Sequence, residues 1–266
     1  MTRRRFPVGK TLLYVFMSLW ALTTIYPFIW VILNSFKPRG LIRSDTFSLP
    51  IGDKFTLENY VTAFKRVDIG TAYVNSIVIS GAVTVVVMVL AGLAAYAMVR
   101  YSFRLRGFLH SMIIASMMFP VFSTIIPVFR MESSWGIVNT GSIWLTRLSV
   151  VLPQIAGNLS FAIIVLMGFI RSLPVDLEEA AYLEGYNVYQ IFFRIIMPLA
   201  KPSFATVGIF TFLWSYNDLF LQMFFLRSKK FFTITRLLNE ISSQAGTNYG
   251  LMVAAVVMVV IPVLVV

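Results

Sequence analysis

Five stretches of this chain, residues 11–33, 69–99, 107–129, 148–170 and 241–266, contain no Asp, Glu, Lys or Arg, and a sixth, 202–226, contains only Asp218. A helix needs about 20 apolar residues to cross the hydrocarbon core of a bilayer. Backbone polar groups in lipid must be satisfied within the segment or in a closed barrel. A barrel would show alternating ten-residue segments, and none appear in the sequence. The expected fold is therefore all-α: one polytopic domain over 1–266, with spans at about 11–33, 70–99, 107–129, 147–170, 203–226 and 249–266. The 70–99 run is longer than a bilayer requires and should tilt or protrude. Pro120, Pro127 and Pro153 are expected kinks in the third and fourth spans, tolerated because neighbouring helices satisfy the freed carbonyls.

Composition narrows the chemistry. Charged residues make up only 12% of the chain and mean hydropathy is +0.83, where soluble domains carry about a quarter charged residues. The absence of Cys and the presence of one His, His110, leave no thiolate or multi-His metal site and no inventory for hydrolytic chemistry. The net charge of +11 does not point to nucleic acid, because the basic residues flank apolar runs as they do in membrane proteins. Gly9-Lys10-Thr11 resembles the end of a phosphate-binding loop, but the earlier glycine that loop requires is Arg4, so nucleotide binding is not expected here.

The basic flank at Arg3–Arg5 and Lys10 precedes the first span, whose far end carries bulky Tyr26, Phe28 and Trp30. Without a small-residue cleavage site this reads as a retained span. A cytoplasmic N-terminus puts 10 of the 22 basic residues inside. The segments 1–10 and 100–106 are short and free of acids, which is where the positive-inside bias acts. The external loops are then 34–68, 130–146 and 227–248, and Phe55-Thr56-Leu57-Glu58-Asn59-Tyr60 reads as the start of a short helix capped by Thr56.

The cytoplasmic segment 171–202 carries Asp176, Glu178, Glu179 and Glu184, four of the chain's eleven acids. Pro174 and the acids after it suit the first turn of a helix, and Leu177, Ala180 and Ala181 share one face. Gly185 is placed to end that helix in a left-handed conformation. Asn187 with Gln190 reads as the capping box of a second helix, carrying Val188, Ile191, Phe192 and Ile195 on one side and stopped by Pro198. Both helices are too short and polar to cross lipid. Acids repel anionic headgroups, so this helix–glycine–helix hook reads as a docking element for another protein.

Glu179-Ala180-Ala181, then Gly185, then Ile195 and Met197-Pro198 resembles the EAA loop of bacterial binding-protein-dependent ABC importer permeases. Leu is more usual at Met197, and Glu184-Gly185-Tyr186 stands where Asp-Gly-Ala is common. Further segments resemble the carbohydrate, maltose-permease-like subgroup, with its MetI-like fold: Asn34-Ser35-Phe36-Lys37, Phe55 to Tyr60, Ala94-Ala95-Tyr96-Ala97 with Arg100, Gly136 to Thr140, and Trp214-Ser215-Tyr216-Asn217-Asp218. The resemblance implies a permease without catalysis of its own in the bacterial cytoplasmic membrane. It implies a heterodimer with a second such permease, two ATPase subunits that bind ATP and Mg, and an external sugar-binding protein. It also implies that Glu178, Glu179, Ala180, Ala181, Glu184, Gly185, Tyr186 and Pro198 couple to an ATPase, and that a short basic tail follows the last span, of which the sequence to Val266 shows none.

Asp218 is the sole acid inside an expected span, and such residues are functional candidates. With Tyr216, Asn217 and Gln222 it could line a polar pathway for sugar hydroxyls, or it could fix the span by an interhelical hydrogen bond. The competing function is an ion-coupled secondary transporter using Asp218, a class that usually shows internal repeats; none is visible in this sequence.

Overall fold

The computed structural model describes residues 8–66, 68–245 and 248–265; Arg3–Arg5 lie outside the described residues. The described residues are helical and loop, without strands. They form two compact units, the chain up to Ile69 with Leu238–Val265, and Gly70–Leu237.

In the first unit, α1 (Val8–Ser35) is followed by the short α2 (Arg39–Ser44) and by α3 (Glu58–Arg66). The far helix α14 (Tyr249–Val265) packs against all three. Loop 34–68 is a built structure rather than a solvated connector. The Phe36 ring stacks on Phe55 at 5.6 Å and lies 5.3 Å from Tyr60. The Thr56 N–H donates to the Phe36 carbonyl at 2.7 Å, and Asn59 Nδ2 donates to the carbonyls of Ser35 and Lys37. The two separated segments 34–37 and 55–60 therefore form one clasp. Lys37 is buried, its ammonium donating to the carbonyls of Asp45 and Thr46; desolvation lowers its pKa from the usual lysine value. Thr56 Oγ1 accepts from the Glu58 N–H as expected of a cap. A Cβ on Gly250 would fall 2.2 Å from Asn59 Oδ1, so α14 reaches the clasp only because that position has no side chain.

In the second unit, α4 (Ile69–Arg100) and α7 (Ile143–Ile170) are unbroken along 32 and 28 residues. With α1 they are long and apolar enough to cross a membrane singly. At 1.5 Å per residue α4 is about 48 Å long, well beyond a core of about 30 Å.

The third expected span is broken rather than kinked: α5 (Arg106–Ser116) ends before Pro120, which is extended (φ −69°, ψ 126°) and caps α6 (Val121–Ser134). A proline there cannot donate to the carbonyl four residues back. The fifth is also broken. Helix α8 (Asp176–Leu183), α9 (Val188–Ile191) and α10 (Met197–Leu199) belong to the hook, after which α11 (Lys201–Asn217) runs to Asp218 and α12 (Leu219–Phe225) begins there. Asp218 is the N-cap of α12, its Oδ1 accepting from the Leu221 N–H at 3.1 Å. The segment after Leu226, expected as a loop, contains a helix, α13 (Ile234–Ala245). Ile234, Leu237, Leu238 and Ile241 follow a helical spacing that signals it.

Candidate functional site: the hook and the polar break

Acids at 176, 178 and 179 occupy the first turn of α8, where they complement the positive end of the helix dipole. At its far end Gly185 adopts φ +84°. The N–H groups of Gly185 and Tyr186 donate to the carbonyls of Tyr182 and Ala181, both at 3.0 Å, the bonding of a glycine-terminated helix. The capping box forms as its spacing predicts: Gln190 N–H donates to Asn187 Oδ1 at 2.9 Å, and Asn187 N–H donates to Gln190 Oε1 at 2.8 Å.

Pro198 does not stop the second helix. Residues Phe192–Ile196 widen into a π turn, with the Met197 N–H donating to the Phe192 carbonyl. This register absorbs a proline that would otherwise clash with the carbonyl four residues back. The chain turns instead at Ala200, where segments 188–199 and 201–217 meet at 82°.

The faces of the hook differ from expectation by one helical step. Ala181 is buried, but Leu177 and Ala180 are exposed. Glu178 is buried and turned into its own chain. Its Oε2 accepts from the Tyr96 hydroxyl at 2.8 Å and its Oε1 from Arg100 Nε at 2.6 Å. Arg100 Nη2 also donates to the Leu173 carbonyl at 2.9 Å. The hydroxyls of Tyr101 and Tyr182 meet at 3.0 Å, and this hydrogen bond raises the Tyr182 pKa above its usual value. The Tyr96 ring lies 5.6 Å from Phe192. A Cβ on Gly92 would come within 2.9 Å of the Phe192 and Phe204 rings. Glu178 is thus an internal latch onto α4, not an outward contact. The outer face presents Glu179, Ala180 and Glu184 beside Leu183, 91% exposed, and Tyr189, 69% exposed. Such bulky apolar groups between acids suit contact with a protein surface.

The four candidate pathway residues separate. Tyr216 and Gln222 are buried. Gln222 Nε2 donates to the Ser215 carbonyl at 3.1 Å and its Oε1 accepts from the Thr233 hydroxyl, so it fixes the chain rather than facing a pathway. Asn217 is exposed, with Nδ2 bonded to the Leu213 carbonyl. Asp218 Oδ2 accepts from Gln154 Nε2 at 3.0 Å, and Gln154 Oε1 accepts from Ser215 Oγ at 2.6 Å. Asp218 also lines a cavity of about 330 Å³ with Gln154, Asn158, Trp214, Phe122 and Phe220. The sequence reading missed Gln154 and Asn158, although two amides four residues apart in an apolar span share one face of a helix.

Residues 87–266 match the model of the family described as "Binding-protein-dependent transport system inner membrane component". The chain belongs to this family. The permease is 34% identical over 255 residues to a diacetylchitobiose uptake system permease protein of Streptomyces coelicolor, covering 95% of this chain and 82% of that one. It is 31% identical to a trehalose transport system permease protein of Mycobacterium tuberculosis, covering 91% and 85%. The fold of the permease is similar to that of a bacterial ABC transporter that imports the acidic polysaccharide alginate, with a TM-score of 0.82 at 23% identity over 100% of this chain and 96% of that one. A second structure of a bacterial alginate transporter, bound to a periplasmic protein carrying an alginate pentasaccharide, matches at TM-score 0.70 and 17% identity, covering 99% and 94%. The permease is accordingly an integral membrane transport component, and nothing in its structure or relatives favours the ion-coupled alternative.

Proposed function

We propose that the permease forms half of the pathway of an ATP-driven importer for a neutral oligosaccharide handed over by an external solute-binding protein. In this reading the chain crosses the membrane six times, with its N-terminus and the hook in the cytoplasm. A second, homologous permease completes the pathway, and two ATPase subunits, which bind ATP and Mg²⁺, grip the outer face of the hook. The observation that carries this reading is the division of the hook into an inner face latched to α4 through Glu178 and an outer face of exposed acids and apolar groups. Glu179, Ala180 and Glu184 are the contact residues in this account, while Ala181, Gly185, Tyr186 and Pro198 shape the elbow.

The relatives named for diacetylchitobiose and trehalose supply the substrate class, and the cavity beside Asp218 refines it. Trp214, Phe220 and Phe122 offer apolar ring faces, while Asp218, Asn158 and Gln154 offer hydrogen-bonding groups, the mixed lining of a polar-ligand site. Its ten lining residues include one acid and no base, so a uronate would meet only like charge there. In cells expressing the whole system, labelled trehalose or diacetylchitobiose is taken up and an oligouronate is not. Asp218→Asn retains the permease in the membrane while reducing neutral-sugar uptake about tenfold, the scale of losing one charged hydrogen bond. Preferential uptake of the oligouronate, or unchanged neutral-sugar uptake by Asp218→Asn, counts against this substrate assignment.

A further inference from the structure

We propose that α4 is a strut carrying force between the hook and segment 228–236, with Asn75 and Ser76 as positioning residues at one end and Tyr96 and Arg100 at the other. The inference rests on the importer reading, which puts those two ends on opposite sides of the membrane.

At the outer end Asn75 is buried and uses its whole hydrogen-bonding capacity. Its Nδ2 donates to the carbonyls of Lys230 at 3.2 Å and Phe232 at 3.0 Å. Its Oδ1 accepts from Arg147 Nη2 at 2.9 Å and Nε at 3.3 Å. Ser76 Oγ accepts from the Ile234 N–H at 2.8 Å. Three backbone groups of segment 230–234 are therefore tied to two adjacent residues of α4. At the inner end Tyr96 and Arg100 hold Glu178 and Leu173, and the close approach at Gly92 brings α4 against Phe192 and Phe204.

Asn75 and Arg100 are separated by about 38 Å of continuous helix. No proline interrupts it, and Ala72, Ile79, Val83, Val87, Ala91 and Ala95 form a buried stripe along it. Close-packed interiors deform little and transmit displacement. The other long elements of this unit are worse conductors. Helix α7 carries Pro153, and α11 is cut off by the 82° bend at one end and the Asp218 break at the other. Among the described residues, α4 alone combines an unbroken helix with side-chain bonds to both the hook and segment 230–234.

Energetic coupling between two ends must be reciprocal, which gives the test. In the complete transporter, purified with its partner subunits in lipid nanodiscs without nucleotide, amide hydrogen exchange is followed in peptides covering 176–186 and 228–236. Asn75→Ala raises exchange at least threefold in both peptides, and Glu178→Gln does the same, while the middle of α4 around 83–91 stays protected. Ser76→Ala, which removes one acceptor, gives a smaller rise in both and serves where Asn75→Ala does not accumulate. A change confined to the substituted end, in either direction, overturns the strut. Failure of an ATPase to co-purify with the wild-type permease overturns the importer reading instead, so the two failures are distinct.

Discussion

Cells carrying Glu179→Lys together with Gly185→Leu hold the permease in the membrane at normal level and take up no sugar. The glycine sits at φ +84° with open space where a Cβ would project, so leucine meets no clash. It does meet the intrinsic cost of the left-handed region, about 1–2 kcal/mol, which opens the turn between α8 and α9. Lysine at 179 reverses the charge on the exposed face without touching the Glu178 latch. Both changes are therefore local to the elbow: the spans insert and pack as before, and what fails, in the proposed importer, is the grip of the ATPase. The measurement is initial uptake rate normalised to the amount of permease in isolated membranes. Wild-type uptake at normal abundance would remove the hook from the mechanism.

Separating Arg100 from Glu178 produces the largest stability effect. Their side chains are 11% and 5% exposed, so the pair belongs with buried ion pairs rather than with surface pairs worth about 0–1 kcal/mol. Glu178→Leu leaves a guanidinium buried without its counter-ion, and Arg100→Met leaves the carboxylate so. Each costs about 3–5 kcal/mol, whereas replacing both with apolar groups is close to neutral. The hook of either single variant becomes sensitive to limited proteolysis in detergent, and the double variant regains most of its resistance. Additive damage in the double variant would show that the two residues act independently.

Legibility followed the physics of each element. Long apolar runs dictated α1, α4 and α7 within a few residues, because a helix in lipid needs only length and the absence of charge. The elbow was equally plain, since a left-handed glycine and an Asn187–Gln190 box are set by local chemistry. Breaks at Pro120 and Asp218 were not, because a proline that kinks a helix and one that precedes a new helix look alike in sequence, as do an acid that lines a continuous helix and one that caps a new one. Choosing which of Glu178 and Glu179 points inward needed the helix phase to within one residue, about 100° of rotation, and the answer depended on Tyr96 and Arg100, some eighty positions away. Pro198 signals a stop by local rules, yet packing of Phe192 and Ile196, both buried, holds the helix together through a π turn. The cap at Thr56 was legible locally, but the pairing of segments 34–37 and 55–60 was not: its reason, the clasp around Phe36 and Asn59, exists only in three dimensions.

In the proposed importer the outer face of the elbow is seated on an ATPase inside the cell. The sequence contains no cysteine, so Leu183→Cys introduces one thiol at a position that is 91% exposed. In membranes from cells co-expressing the importer subunits, a short bifunctional maleimide is predicted to join this thiol to an ATPase subunit, and intact cells are predicted to shield it from a membrane-impermeant maleimide. Labelling of the thiol from outside intact cells, or absence of an ATPase adduct when the subunits co-purify, would contradict the account.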